Sequence, residues 1–164
     1  MTNIKDKTNG DMKQFVTFEV DTEEYGLEIL RVQEVVRLPK LTKLPRAPHF
    51  IKGVIDLRGD VIPIIDLREK FGLTGHDYKE NTRTIIVEVK EKKIGMIVDN
   101  VSQVVRVADS NIAPPPPSIG GVSNNLISGV IRMDDRLIIL MNVENVLSTE
   151  EIVQLDKIDQ VEAA

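Results

Sequence analysis

The chain has no cysteine and no tryptophan, and only 4% of its 164 residues are aromatic. Without cysteine it has no disulfide framework, no thiolate metal site and no thiol nucleophile, which favours a reducing, intracellular setting. The scarcity of aromatic rings argues against a surface on which nucleic-acid bases stack. The formal net charge of −5 supports the same conclusion, because neutralising phosphates requires an excess of Lys and Arg. We therefore expect no nucleic-acid partner.

Long apolar runs are also absent. No stretch reaches the roughly 20 apolar residues of a membrane-spanning helix, and the polar residues 1–11 do not form a secretory signal. We expect a soluble, cytoplasmic protein that does not insert into a membrane. Residues 1–11 are predicted to be a disordered N-terminal segment, and residues 156–164 a frayed tail.

Arrangements of catalytic residues are missing too. His49 and His76 lack a second histidine at metal-binding spacing, and both lie beside turn-forming residues. Asp56, Asp60 and Asp66 flank a predicted hairpin and a helix start, where Asp commonly serves as a turn or cap residue. There is no phosphate-binding glycine loop and no nucleophile elbow. The sequence predicts a protein that is not an enzyme and needs no metal or cofactor; a hydrolase using Asp56 or Asp66 is the alternative.

An internal repeat is the most informative feature that is present. Residues 26–37 return 69 positions later as residues 95–106, with the glycine, three valines and the final arginine in register. Residues 50–64 are echoed 76 positions later by residues 126–140. Two similar halves predict a first lobe over residues 12–80 and a second over 81–155 with a C-terminal helix, with elements open to exchange between the lobes.

Short runs rich in Val and Ile alternate with polar turn residues along both halves. Ten such runs, five per half, are typical of small antiparallel barrels or sandwiches. The predicted strands lie near residues 13–20, 25–31, 34–38, 50–56, 60–65, 82–90, 93–99, 103–107, 126–133 and 136–141. The fold is therefore predicted to be mostly β.

Helices are predicted to be few and short. Asp66 can cap a turn that ends near Phe71, residues 142–147 match that turn in the second half, and residues 148–151 form a capping box that opens the C-terminal helix. Four consecutive prolines, residues 114–117, favour a stiff polyproline connector over an interior strand. A docking ligand for a proline-binding groove is the alternative for that run.

A protein-binding surface is the remaining class of function. Residues 58–60 spell Arg-Gly-Asp, which between two apolar strands is best explained as a hairpin turn. Arg58 at its tip is a residue type common at interface hot spots. Repeated valines in residues 32–36 and 98–105 can line an apolar groove for an amphipathic helix. A small barrel that binds single-stranded nucleic acid or oligosaccharide is the alternative.

Two segments, residues 24–35 and 50–68, carry a resemblance to a known family. The second contains the pattern G-V-x-x-L-R-G-x-x-x-P-x-x-D-L, running from Gly53 to Leu67. In this pattern and in its surroundings, from about Gln14 to Leu155, the chain resembles the CheW chemotaxis coupling proteins of bacteria.

The resemblance implies two five-stranded SH3-like β-barrels packed together around a shared apolar layer, with short helices and a C-terminal helix. It also implies a non-enzymatic adaptor that couples the cytoplasmic tips of chemoreceptors to the regulatory domain of the histidine kinase CheA. By position, the implied receptor-binding residues are Arg58, Val32, Glu34, Gly95, Val98 and Val101, with Arg58 paired to Glu34. The implied kinase-binding residues are Leu41, Thr42 and Lys52.

Overall fold

The computed structural model describes residues 12–73, 77–115, 125–148 and 150–155. Over these residues the chain forms eleven strands, a short helix α1 and a second helix α2 over residues 150–155. The strands are β1 Met12–Val20, β2 Glu23–Glu28, β3 Val32–Arg37, β4 Ile51–Leu57, β5 Asp60–Asp66, β6 Arg83–Val89, β7 Lys92–Val98, β8 Asn100–Ala108, β9 Ile112–Ala113, β10 Ile127–Met133 and β11 Arg136–Met141. Helix α1 is Leu67–Lys70, and 3₁₀ turns occupy Ile29–Arg31, Asp109–Asn111 and Val143–Asn145.

All ten predicted strands are present, and only the two-residue β9 was missed. The predicted capping box is confirmed: the Glu151 amide donates to Ser148 Oγ at 3.1 Å, and the Ser148 amide donates to Glu151 Oε1 at 2.9 Å. The predicted disordered start and frayed tail, together with His76 and residues 116–117 of the proline run, lie outside the described residues.

The strands form two sheets, and each sheet draws on both halves of the sequence. Sheet I has the order β8-β1-β2-β11-β10-β9, and sheet II has the order β3-β6-β7-β5-β4. The β1–β2 hairpin of the first half thus belongs to the sheet of the second half, and the β6–β7 hairpin is exchanged in the opposite direction. A boundary at residue 80 does not separate the two sheets, and the exchange that the sequence left open is the arrangement observed.

Short crossovers explain this exchange. Only residues 29–31 connect β2 to β3, and only Asp99 connects β7 to β8. In sheet I, β1 is antiparallel to both β2 and β8, so β2 and β8 run in the same direction. If β3 took the corresponding place beside its own hairpin, it would run parallel to β2, and such a return needs a connection of about a dozen residues. With three residues the chain continues into the other sheet instead.

The repeated glycines lie where two parallel strands meet. Gly26 on β2 pairs with Leu140 on β11, and Gly95 on β7 pairs with Ile64 on β5. A Cβ atom at Gly95 would lie 2.5 Å from Ile64 Cδ1 and 2.8 Å from Thr84 Cγ2, and one at Gly26 would lie 3.1 Å from Leu140 Cδ2. The close approach of neighbouring side chains explains why both halves carry glycine here.

Three apolar clusters form the core. The largest lies between the sheets and contains Phe18 and Leu27 of sheet I and Ile85 and Met96 of sheet II. A second cluster involves only sheet I and its adjoining turn, and a third involves only sheet II and its flanking loops. Each sheet thus curls around its own cluster, and the two pack through a shared layer that Leu155 of α2 helps to close. The predicted fold class, mostly β with two packed modules, is confirmed.

Candidate protein-docking surfaces

The β4–β5 hairpin places Arg58 at the tip of a tight turn. Arg58 and Gly59 have φ angles of 52° and 91°, as a two-residue type I′ turn requires. The Gly59 amide donates to Asp56 Oδ1 at 3.0 Å, which holds the turn closed. Arg-Gly-Asp is therefore a hairpin turn, as predicted, and the Arg58 side chain is 70% exposed.

The guanidinium of Arg58 extends from this turn to the edge strand β3. Its Nη1 donates to Glu34 Oε2 at 3.2 Å, and its Nη2 donates to Glu34 Oε1, so the pair is bidentate. The hydrogen bond from Arg58 lowers the pKa of Glu34, and the same bond raises the pKa of Arg58. The predicted pairing of these two residues is confirmed. It joins the hairpin tip to the edge strand β3.

Val32 is the first residue of the edge strand β3, and Val101 is the second residue of the edge strand β8. They are equivalent residues of the repeat, 69 positions apart. Val32 directly follows the crossover of residues 29–31, and Val101 lies two positions after the crossover residue Asp99. Both are half-buried and pack against the cluster between the sheets. Each therefore offers part of its apolar surface at the margin of the shared layer. We call Arg58, Glu34, Val32 and Val101 the edge-strand surface.

Gly95 and Val98 do not belong to this surface, which corrects their assignment as contact residues. Val98 is 0% exposed within the cluster between the sheets, and Gly95 is buried beneath Ile64 and Thr84. Neither has surface to offer a partner. The sequence pattern could not separate them from Val101, because both faces of β7 are covered and alternation carries no information there.

Four exposed apolar residues lie at matching positions of the repeat, two on the edge strands and two on β5 and β11. Val35 on β3 and Val104 on β8 are 38% and 50% exposed and are equivalent in the repeat. Val61 on β5 and Leu137 on β11 form another such pair, 44% and 50% exposed. Sequence reasoning missed Val61 and Leu137, and their recurrence at matching positions was the signal that could have found them.

Leu41 and Thr42 lie along the outer edge of β4, the strand that contains Lys52. The backbone of Thr42 makes two 2.9 Å hydrogen bonds with Val54, one in each direction. A Cβ atom at Gly53 would lie 3.2 Å from Leu41 Cβ, so the segment lies directly over that glycine. Lys52 Nζ lies 2.7 Å from Glu69 Oε2 of α1. Leu41 and Thr42 thus lie against β4, whereas the side chain of Lys52 pairs with α1. We call these three residues the β4-edge surface.

Sheet I repeats this edge arrangement with different residues. Ala113 of β9 pairs with Val130 on β10, as Thr42 pairs with Val54 on β4. A Cβ atom at Gly129 would lie 3.0 Å from the Ala113 carbonyl oxygen. The strand β9 is therefore the extended counterpart of the bridge at Thr42.

The aspartates considered for catalysis have structural partners. Asp66 Oδ1 accepts the Arg68 amide at 2.9 Å, which caps α1, and its Oδ2 accepts the Tyr78 hydroxyl at 2.8 Å. Burial, followed by the bond to Asp66, raises the pKa of Tyr78. Asp60 pairs with Lys93 Nζ at 3.0 Å. Asp66 therefore caps a helix, as the sequence predicted, and Asp60 forms an ion pair with β7.

Among residues 12–73, 77–115, 125–148 and 150–155, no three His, Cys, Asp or Glu side chains are grouped so that they could hold a metal ion. In the same ranges no helix has the length and apolar character needed to cross a membrane.

The chain is similar in sequence to proteins of one known family. The family model of the CheW-like domain matches residues 14–162. The chemotaxis protein CheW of Klebsiella aerogenes is 37% identical over 146 residues, which cover 89% of this chain and 88% of that protein. The chemotaxis protein CheW of Helicobacter pylori is 33% identical, with the same shares covered.

A solved structure shares the fold. The scaffolding protein TtCheW from Thermoanaerobacter tengcongensis superimposes with a TM-score of 0.77 at 38% identity, covering 84% of this chain and 88% of that one. The family match includes every described strand except the first residues of β1, and so spans both sheets. On this sequence and structural similarity, the chain belongs to the CheW-like family.

Proposed function

We propose that this chain is a non-enzymatic adaptor of bacterial chemotaxis that couples the cytoplasmic tips of chemoreceptors to the regulatory domain of the histidine kinase CheA. The observation that carries the proposal is the CheW-like match over residues 14–162. The adaptor acts in the cytoplasm, at the receptor arrays, without inserting into the membrane and without binding nucleic acid.

The edge-strand surface suits a helical partner such as a receptor tip. It combines half-buried Val32 and Val101 with the exposed ion pair of Arg58 and Glu34. Apolar side chains at the margin of a groove bind the apolar face of a helix, and an exposed arginine adds directional hydrogen bonds. Receptor binding is therefore assigned to this surface.

The β4-edge surface is assigned to the kinase. Its strand lies at the other end of the order of sheet II from β3. Leu41 is half-buried and packs against the cluster of sheet II, while Thr42 is exposed. With two partners on opposite edge strands, one adaptor can hold both at the same time.

Coupling then depends on geometry and number of contacts rather than on chemistry. A single adaptor contact of modest affinity is reinforced when receptor tips lie close together, because neighbouring sites raise the effective concentration of the partner. The adaptor transmits a signal if, when bound to a receptor, it has a higher affinity for one conformation of the kinase than for another.

Reconstitution tests the proposal. Kinase activity is measured with CheA and a receptor cytoplasmic fragment, with and without this chain. We expect receptor control of the kinase only when the chain is present. Control that is complete without the chain, or a chain that binds neither component, would overturn the proposal.

A further inference from the structure

The crossover from sheet II to sheet I consists of Asp99 alone, and it is tied to the end of the neighbouring strand β1. The Asp99 amide donates to the Glu19 carbonyl at 2.9 Å. Its Oδ2 accepts the amide of Asp21, in the β1–β2 turn, at 2.8 Å. The position of this crossover is therefore coupled to the β1–β2 hairpin.

Arg68 of α1 joins both carboxylates at this point. Its Nη1 lies 3.1 Å from Asp99 Oδ2 and 3.3 Å from Asp21 Oδ1. The Arg68 side chain is 11% exposed, whereas those of Asp99 and Asp21 are 24% and 48% exposed. Two carboxylates that share one guanidinium attract it, but without it they repel each other. Arg68 therefore holds the crossover against a repulsion that is otherwise built into it.

The first residues of β8 depend on this crossover more than the rest of the strand does. Asn100 and Val101 pair with Glu19 and Phe18, and the ladder between β1 and β8 then shifts register between Phe18 and Thr17. A register shift interrupts the regular ladder and separates the start of β8 from its remainder. Asp99 directly precedes these residues, and its hydrogen bonds to Glu19 and Asp21 fix the N-terminal end of β8.

The other crossover, residues 29–31, is also held by an ion pair, but here the crossover residue is the cation and its partner is the anion. Arg31, at the end of residues 29–31, pairs with Glu144 in the 3₁₀ turn after β11. These side chains are 37% and 38% exposed, so solvent screens the pair more than it screens the pair at Arg68. The Arg31–Glu144 pair at this crossover serves as the comparison for Arg68 within the same molecule.

We propose that Arg68 is a positioning residue for receptor binding, acting through Asp99 to fix the start of β8 and thereby the surface that Val101 presents. The inference rests on the proposed function, since it assigns a further residue to the receptor-binding surface. Arg68 does not itself touch the receptor; it sets where the apolar contact lies.

The test compares Arg68→Gln with Glu144→Gln in the full chain. Dissociation constants are measured for a receptor cytoplasmic fragment and, separately, for the regulatory domain of CheA. We expect Arg68→Gln to weaken receptor binding about tenfold, because the two carboxylates then repel, and to change kinase binding less than about twofold. Glu144→Gln is expected to change both constants less than about twofold.

A rescue variant separates positioning from a general loss of structure. Asp99→Asn added to Arg68→Gln keeps an oxygen acceptor for the Asp21 amide and removes the repulsion, so receptor affinity should return to within about threefold of the parent. If Arg68→Gln unfolds at the assay temperature, Arg68→Lys replaces it, with about threefold weaker receptor binding expected because the charge is kept and the planar fork is lost.

The outcomes distinguish this inference from the proposed function. A parent chain that does not bind the receptor fragment overturns the proposed function, and this inference with it. A parent that binds, with Arg68→Gln binding equally well, overturns the positioning role alone. Equal loss of both partners, or no recovery with Asp99→Asn, also overturns it.

Discussion

Sheets I and II share a strand order, but they differ at the tip of one hairpin. Sheet II carries Arg58 at a φ of 52°, and sheet I carries Asp134 at a φ of 50° in the equivalent β10–β11 turn. The partner of Arg58 on β3 is Glu34, and the repeat places Gln103 at that position on β8. The ion pair between hairpin and edge strand is thus a feature of sheet II. The two turns differ in backbone as well, since Gly59 has a φ of 91° whereas Asp135, at the equivalent position, does not have a positive φ.

The largest expected effect comes from reversing the charge at this tip. Arg58→Glu places a carboxylate beside Glu34 and removes a bidentate donor, so receptor-fragment binding should weaken about thirtyfold, as expected for an interface hot spot. Binding of the kinase regulatory domain should stay within about twofold, since the β4-edge surface is untouched. Titration of the Arg58→Glu variant and of the parent with a labelled receptor fragment, and separately with the labelled kinase regulatory domain, measures both affinities.

Asp134→Arg is the matched control in the other sheet. It reverses a charge at the equivalent turn position and should change receptor binding less than about twofold. Equal losses for Arg58→Glu and Asp134→Arg would show that the two hairpins are not functionally different.

The next effect concerns the repeated glycines. Gly95→Ala would bring a Cβ atom to 2.5 Å from Ile64 Cδ1, and Gly26→Ala would bring one to 3.1 Å from Leu140 Cδ2. Overpacking a closed core costs about 1–3 kcal/mol, so we expect a loss near the upper end for Gly95→Ala and near the lower end for Gly26→Ala. Urea denaturation of the two variants gives the comparison, and a larger loss at Gly26 would contradict it.

A smaller effect is expected in the tight turns. Glu91 adopts a φ of 69° at the second position of the β6–β7 turn, where the β4–β5 turn has Gly59 at 91°. Glu91→Gly should stabilise the fold by about 0.5–1 kcal/mol, because glycine adopts this conformation without steric cost. Gly59→Ala should destabilise it by a similar amount, since a Cβ atom there meets nothing within 4 Å and only the backbone cost remains. Thermal unfolding that reversed these signs would refute the comparison.

The smallest effect is the pH dependence of the Arg58–Glu34 pair. The hydrogen bond from Arg58 lowers the pKa of Glu34 below its ordinary value of 4.5. A lowered carboxyl pKa contributes stability above the pKa of the unfolded state, and this contribution is lost as the pH falls through the folded-state pKa. The stability difference between parent and Arg58→Gln should therefore be present at neutral pH and shrink below pH 4.5. A difference that grows with acid would contradict the pairing.

Local features of this fold were predictable because they depend on neighbours in the sequence. The ten predicted strands, the Arg-Gly-Asp turn and the Ser148–Glu151 capping box all rest on residues within a few positions of each other. The bridge at Thr42 and the strand β9 were not predicted, since each is defined by a partner strand in a different part of the chain.

The candidate docking residues also differ in how well the sequence predicted them. Arg58 and Glu34 were identified and do pair, whereas Gly95 and Val98 were assigned to the surface and are buried. Which apolar residues are covered depends on the elements packed against each face of the sheet, and Val98 is covered in the cluster that sheet II shares with Phe18 and Leu27 of sheet I. Arg68 escaped notice because its partners are 31 and 47 positions away.

By itself, the sequence determined the strand pattern, the turns and caps and the family resemblance, because hydrophobic alternation and backbone preferences act over short distances. Only the tertiary structure decided that the two halves exchange hairpins, that Val98 is buried while Val101 remains half exposed, and that Arg68 meets Asp21 and Asp99. These outcomes depend on which distant residues come into contact, and short crossovers between the two sheets select those contacts.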